Sequence, residues 1–164
     1  MRVSIRNNWV SLGGSSTVKD EQENDVLLIK GKVVSISRKK YIQDLNHELL
    51  YTVRNKIFSI FTKKAIVYDK VGNQVAFIRR KIFSVHDRYF VNSNLGKIEI
   101  QGNILGFDYH IYLNDEEVGH ISRNISLRDS FTLDLKDGFD LPFYVALVIA
   151  VDNITDSRRE DRSN

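Results

Sequence analysis

The chain has 164 residues, of which 42% are hydrophobic and 27% charged, with a formal net charge of +3 and a pI near 9.1. That size and balance suit one globular domain with a single core and exclude an intrinsically disordered chain. With no cysteine, disulfides and thiolate chemistry are excluded, and a charge this mild permits an anionic partner without requiring one.

The opening stretch, "MRVSIRNNWVSLGG", has no apolar core of signal-peptide length, so a cytoplasmic location is expected. Its segment "IRNNWVSL" at 5–12 is the first copy of a phrase that returns along the chain. The copies are "IKGKVVSI" at 29–36, "VRNKIFSI" at 53–60, "IRRKIFSV" at 78–85, "IQGNILGF" at 100–107 and "ISRNISL" at 121–127. Starts at 5, 29, 53, 78, 100 and 121 define six units with steps of 24, 24, 25, 22 and 21 residues. Each phrase is followed by a second β-rich run: "STVKD", "KYIQD", "AIVYD", "RYFVN", "DYHIYLN" and "SFTLDL". Most of these runs end in Asp or Asn, which favour turns, and "DKVGN" at 69–73 is the clearest connection between units. One unit thus reads as one β-hairpin, and six units make twelve strands.

After the strands comes the apolar run "LPFYVALVIAV" at 141–151, too short to span a bilayer as a helix. Asp140 can cap it, Pro142 is tolerated in its first turn, and Phe143 to Val151 is apolar all round, as a helix buried on every side should be. Closure leaves no exposed edge, and a barrel of twelve strands has a lumen to fill. The predicted fold is therefore mainly β: a closed twelve-stranded antiparallel barrel of six hairpin repeats around a central apolar C-terminal helix. A single domain is expected over 1–153, its helix about 141–153, with 154–164 as a polar, flexible tail.

Strand alternation sorts each phrase into two faces. Ile5 and Trp9, Ile29 and Val33, Val53 and Ile57, and Ile100 and Ile104 turn inward, with Asn7, Gly31, Asn55, Arg80 and Gly102 between the inward apolar positions. Most of these intervening residues are small, as close approach to a central helix requires; Arg80 departs from the pattern. Outward in the first four units are Arg6, Asn8, Lys30, Lys32, Arg54, Lys56, Arg79 and Lys81, seven of them basic, whereas Gln101, Asn103, Ser122 and Asn124 in the last two units are neutral. The loops inside units are mostly basic, with Lys63, Lys64 and Arg88 among them, and the turns between units are acidic, so the molecule should be electrically polarised. Outward cations also serve solubility and guard against edge pairing.

The hydrophobic-basic-x-Lys-x-Phe-Ser phrase, the "VYDKVGNQV" turn and the apolar C-terminal helix resemble the LURP-one-related family of the tubby-like group, which also includes relatives of the phospholipid scramblases. The resemblance implies a twelve-stranded barrel around a hydrophobic helix, and it raises phosphoinositide binding as a function, since tubby domains bind phosphatidylinositol bisphosphate. Tubby proteins carry a Lys-Leu-Arg-Ser-Asn stretch leading to a strand that ends Val-Tyr-Asp, with its Lys and Arg on the headgroup. The matching segments here are "TVRN" at 52–55 and "VYD" at 67–69, so Arg54 matches the Arg while Thr52 stands in place of the Lys.

Enzyme signatures are absent: there is no G-x-S-x-G elbow, H-E-x-x-H pair or P-loop, and "GGSS" at 13–16 reads as a hairpin loop. Of His47, His86, His110 and His120, His110 shares a strand face with Asp108, but no third ligand is indicated, so neither a metal nor a cofactor is assigned. Glu116 and Glu117 fall in a predicted turn and point to solvation rather than acid–base work. The expectation is a monomeric, non-enzymatic binding module, peripheral at an anionic membrane. Its ligand-binding residues would be Arg54, Lys56, Arg79 and Lys81, with Lys30 and Lys32 beside them, making charge-assisted bonds to phosphate. The alternative is a structural or regulatory protein-interaction domain with no lipid ligand. Nucleic acid is disfavoured, because the outward positions lack interleaved aromatics.

Overall fold

The computed structural model describes residues 1–6, 15–31, 39–56, 64–81, 87–103, 108–124 and 130–163, and of residues 124 and 156–163 the backbone alone. Its strands are β1 (Arg2–Arg6), β2 (Ser15–Lys19), β3 (Asp25–Gly31), β4 (Lys40–Gln43), β5 (Leu49–Asn55), β6 (Lys64–Asp69), β7 (Gln74–Arg80), β8 (Asp87–Ser93), β9 (Gly96–Asn103), β10 (Asp108–Leu113), β11 (Glu116–Asn124) and β12 (Ser130–Leu135), followed by helix α1 (Leu141–Ser163). Each strand pairs antiparallel with its neighbours in sequence, and β1 pairs with β12 to close the barrel. The six-hairpin barrel read from the repeat is the observed fold. Closure pairs the first strand with the last and removes the open edges that would otherwise invite association.

Period-2 patterning explains the strands. The first residue of every repeat phrase, Ile5, Ile29, Val53, Ile78, Ile100 and Ile121, is at most 1% exposed. Alternate positions face out, as the exposed Lys30, Arg54 and Arg79 do. The later inward positions Trp9, Val33, Ile57 and Ile104, together with Asn7 and Asn8, lie outside the described residues.

Three of the turns between units share one construction. Asp20, Asp44 and Asp69 each accept backbone N–H groups two and four residues ahead, at 2.8–3.0 Å. The residue three ahead takes a left-handed conformation: Glu23 at φ 64°, His47 at 67° and Gly72 at 94°. A register shift adjoins each turn, the pattern of a three-residue hairpin loop with a bulge. Part of the acidity at this end of the barrel is thus turn chemistry.

α1 fills the lumen. Every residue from Phe143 to Thr155 is at most 5% exposed. Asp140 caps the helix as expected, its carboxylate accepting the Phe143 N–H at 3.2 Å while also accepting the Tyr51 hydroxyl at 2.6 Å. Deeper in, the Asn55 amide donates to the Asn153 carbonyl at 3.3 Å, and the Tyr89 and Thr155 hydroxyls lie 3.1 Å apart. These contacts place the N-terminus of α1 level with the start of β5 and carry it along β5 toward the ends of the odd strands. Each large apolar side chain buried on α1 contributes roughly 1.5–3 kcal/mol, making the helix a major part of the core. α1 also outlasts its apolar run: the polar segment expected as a flexible tail after 153 is helical through Ser163, with Ile154 and Thr155 buried. No helix among the described residues is long and apolar enough to cross a membrane.

Two inward positions have causes other than helix clearance. A Cβ on Gly102 would lie 1.9 Å from the Asp108 carbonyl oxygen, so it is the backbone of the adjacent strand β10 that excludes a side chain there. Arg80, the exception to the small-residue pattern, donates from Nε to Asp87 Oδ1 at 2.6 Å, and its terminal nitrogen pairs with the same oxygen. The Asp87 carboxylate is buried, and Arg80 compensates its charge.

Candidate functional site

The outward residues of β5, β6, β7 and β8 meet in rows set by strand register. Lys64 on β6 lies directly opposite Arg79 on β7, and Arg79 opposite Phe90 on β8. Lys56 joins the row from beyond the end of β5, its backbone N–H donating to the Lys64 carbonyl at 2.8 Å. Three cations therefore stand abreast and end against an aromatic ring. Arg79 Cζ lies 5.7 Å from the Phe90 ring centroid, within cation–π range. Lys81, level with Arg88, extends the patch one row further. Lys64, Phe77, Arg79, Lys81, Phe90 and Asn92 line a cleft of about 600 Å³.

Like charges placed directly opposite in a sheet are destabilising unless something neutralises them. Among the described residues, no carboxylate pairs with Lys30, Arg54, Lys56, Lys64, Arg79 or Lys81. Elsewhere Arg2 pairs with Asp134, Arg6 with Glu23, Lys19 with Asp25, Arg88 with Glu99 and Lys136 with Glu116. Among the described residues, then, this face has no carboxylate to neutralise its charge.

The structure divides the residues expected to bind. Lys56, Arg79 and Lys81 fall in this one patch. Arg54 faces a separate, smaller cleft of about 340 Å³, where it shares the wall with Thr52, Tyr68, Asp69, Lys39 and Lys70. Its guanidinium donates to the Tyr68 hydroxyl and lies 4.8 Å from that ring's centroid. The segments matched to the tubby motif do come together there, with Thr52 opposite Tyr68. Thr52 offers a hydroxyl and no charge, and Asp69 adds a carboxylate to the wall. Lys30 stands apart on β3, between Ser15 and Tyr41, and Lys32 lies outside the described residues.

Sequence reasoning missed two members of the patch. Lys64, expected in a loop, opens β6, and Phe90, expected only as one residue of a β-rich run, stands beside Arg79 on β8. The alternation of "KAIVYD", which puts Lys64 on the same face as the outward Tyr68, was the available signal for the first; cross-strand neighbourhood with Arg79 could not be read locally. Glu116 and Glu117 likewise belong to β11 rather than to the turn before it.

Searches of curated proteins and of solved structures give no significant match. A profile of the LURP-one-related family matches residues 1–152, from β1 into the lumen helix, and so the chain belongs to the LURP-one-related family, with its barrel and buried helix of the tubby-like kind.

Proposed function

We propose that this domain is a non-enzymatic binding module that docks on the cytoplasmic surface of a membrane. It engages anionic phospholipid headgroups, phosphoinositides among them, through the row Lys56–Lys64–Arg79 and the adjoining Lys81. The observation behind this reading is the line of cations with no carboxylate partner among the described residues, set beside a cleft large enough for a headgroup. Solubility alone calls for scattered charges of both signs, not three like charges in register. Phosphate oxygens would supply the missing counter-charge, Arg79 by a two-pronged contact and the lysines as point charges. Phe90 would hold the Arg79 guanidinium plane in place. Arg54 contributes from the neighbouring cleft, where a smaller ligand contact replaces the two-cation grip of the tubby motif.

The test is co-sedimentation with vesicles of neutral lipid, of lipid with phosphatidylserine, and of lipid with phosphatidylinositol bisphosphate, each at low and at physiological salt. Soluble inositol phosphate serves as competitor. Binding to the anionic vesicles alone is expected, weakening as salt rises. At about 1 kcal/mol per basic residue near an anionic surface, the Lys56→Ala/Lys64→Ala/Arg79→Ala/Lys81→Ala variant should bind about a thousandfold more weakly. A wild-type protein that stays in the supernatant with every vesicle overturns the lipid reading and leaves the protein-interaction role.

A further inference from the structure

We propose a second site, for a transition-metal dication of the zinc class, on the outer face of β10 and β11. It is held by the imidazoles of His110 and His120 and the carboxylate of Asp108. His110 and His120 lie directly opposite each other across the two strands, with ring centroids 4.8 Å apart. Asp108 stands two residues before His110 on the same face, and its Oδ1 is 2.6 Å from His120 Nε2. One nitrogen from each ring and one Asp108 oxygen lie within 4.8 Å of one another. The sequence placed Asp108 and His110 on one face; the third ligand comes from the neighbouring strand.

A second carboxylate, placed to orient the His110 ring rather than to bind the ion, is brought in by an irregularity. The register shifts between Ile111 and Tyr112, so that Glu117 rather than Val118 faces Tyr112. Val118 is turned into the core, 2% exposed, and Glu117 joins the outer face, its Oε1 2.8 Å from His110 Nδ1. Bulges commonly re-aim a side chain in this way beside a site. The result is two crossing His–carboxylate contacts in one small cluster on rigid strands.

Two imidazoles with a carboxylate suit a borderline cation such as Zn²⁺ and not a hard one such as Mg²⁺, which prefers an all-oxygen shell. Metal–ligand distances of about 2.0–2.2 Å set donor atoms about 3.3 Å apart in a tetrahedral shell. Side chains this exposed reach that spacing by rotation, the ion taking the place of the Asp108–His120 contact. The charges of Asp108 and Glu117 balance the dication. His120 and Glu117 also line a cleft of about 610 Å³, together with Arg2, Glu21, Asp134 and Lys136, which gives the open coordination position room for water or a small anion.

The site is separated from the basic patch by β9 and stands or falls independently of lipid binding. Calorimetric titration of the full chain with ZnCl₂ at neutral pH should show one saturable equivalent, with no response to MgCl₂. His110→Ala, His120→Ala and Asp108→Asn should each weaken that binding by about tenfold or more, while His47→Ala, in a distant turn, leaves it unchanged. His120→Gln, which keeps size and polarity, guards against a folding artefact, and circular dichroism confirms that each variant is folded. Loss of binding in the three site variants with retention in His47→Ala supports the proposal. Absence of saturable binding in the wild type, or binding that persists in a His110→Ala/His120→Ala double variant, overturns it.

Discussion

On the side of the barrel formed by β10, β11, β12 and β1, charged and titratable groups are matched: Arg2 with Asp134, Lys136 with Glu116, His110 with Glu117 and His120 with Asp108. On β5, β6 and β7, Lys56, Lys64 and Arg79 stand abreast, with no such partner among the described residues. Both faces are strand surfaces of one barrel, and their outward positions arise from the same alternation. The difference therefore lies in what was placed at those positions. A matched surface settles its own electrostatics; an unmatched row is destabilising by itself and becomes favourable when an anion arrives.

That contrast can be attacked by mutation, beginning with the charge pair that is buried rather than exposed. Arg80→Ala removes the paired guanidinium from the buried Asp87 at the end of the barrel beside the basic patch, and urea denaturation should register a loss of about 3 kcal/mol, the largest of the series. Asp134→Asn breaks an exposed pair on the matched face, and the same measurement should show a much smaller loss that shrinks as salt is added. Converting the unmatched row to a matched one should have the opposite sign: Lys64→Glu, set between Lys56 and Arg79, should raise stability by about 0.5 kcal/mol while abolishing vesicle binding. A Lys64→Glu protein less stable than wild type would mean that the cations are not in mutual repulsion, and the contrast between faces would lose its basis.

Acid should act mainly through the matched groups and the turns. Glu116 is held below the usual carboxylate range by its hydrogen bond and charge contact with Lys136, and Asp20 by its bonds from Asn24 and Gln22. A carboxylate whose pKa is lower in the fold than in the open chain stabilises fully above the open-chain value. Its contribution disappears as pH falls toward the folded value. Melting temperature should therefore decline from about pH 5 downward, and Glu116→Gln should make that decline slightly shallower. The Lys64→Ala/Arg79→Ala protein should keep the wild-type slope, since neither residue has a carboxylate partner among the described residues.

Much of the fold was legible because it rests on local periodicity. Alternation in "QVAFIRR" and its five counterparts specifies one face in and one face out. The Asp-led turns "DEQEN", "DLNHE" and "DKVGN" punctuate the hairpins, and a run with no polar side from Phe143 to Val151 has nowhere to go but the lumen. The end of α1 was less legible, since a polar sequence such as "NITDSRRED" carries no apolar stripe to mark it as helix. Of the candidate site, the sequence identified which cations face outward but grouped Arg54 with Lys56, Arg79 and Lys81 and left out Lys64.

What the sequence determined by itself was the count of strands, the inward residue that opens each repeat and the identity of the filler, because each follows from spacing along one short segment. What only the tertiary structure decided was which side chains are neighbours: Lys64 beside Arg79, Arg80 on Asp87, Gly102 against the Asp108 carbonyl, His110 opposite His120. Those meetings depend on register between strands, which is set by bulges and by packing around the whole barrel. A shift of one residue at Ile111 and Tyr112 changes which of Glu117 and Val118 faces outward, and no local pattern in the chain announces it.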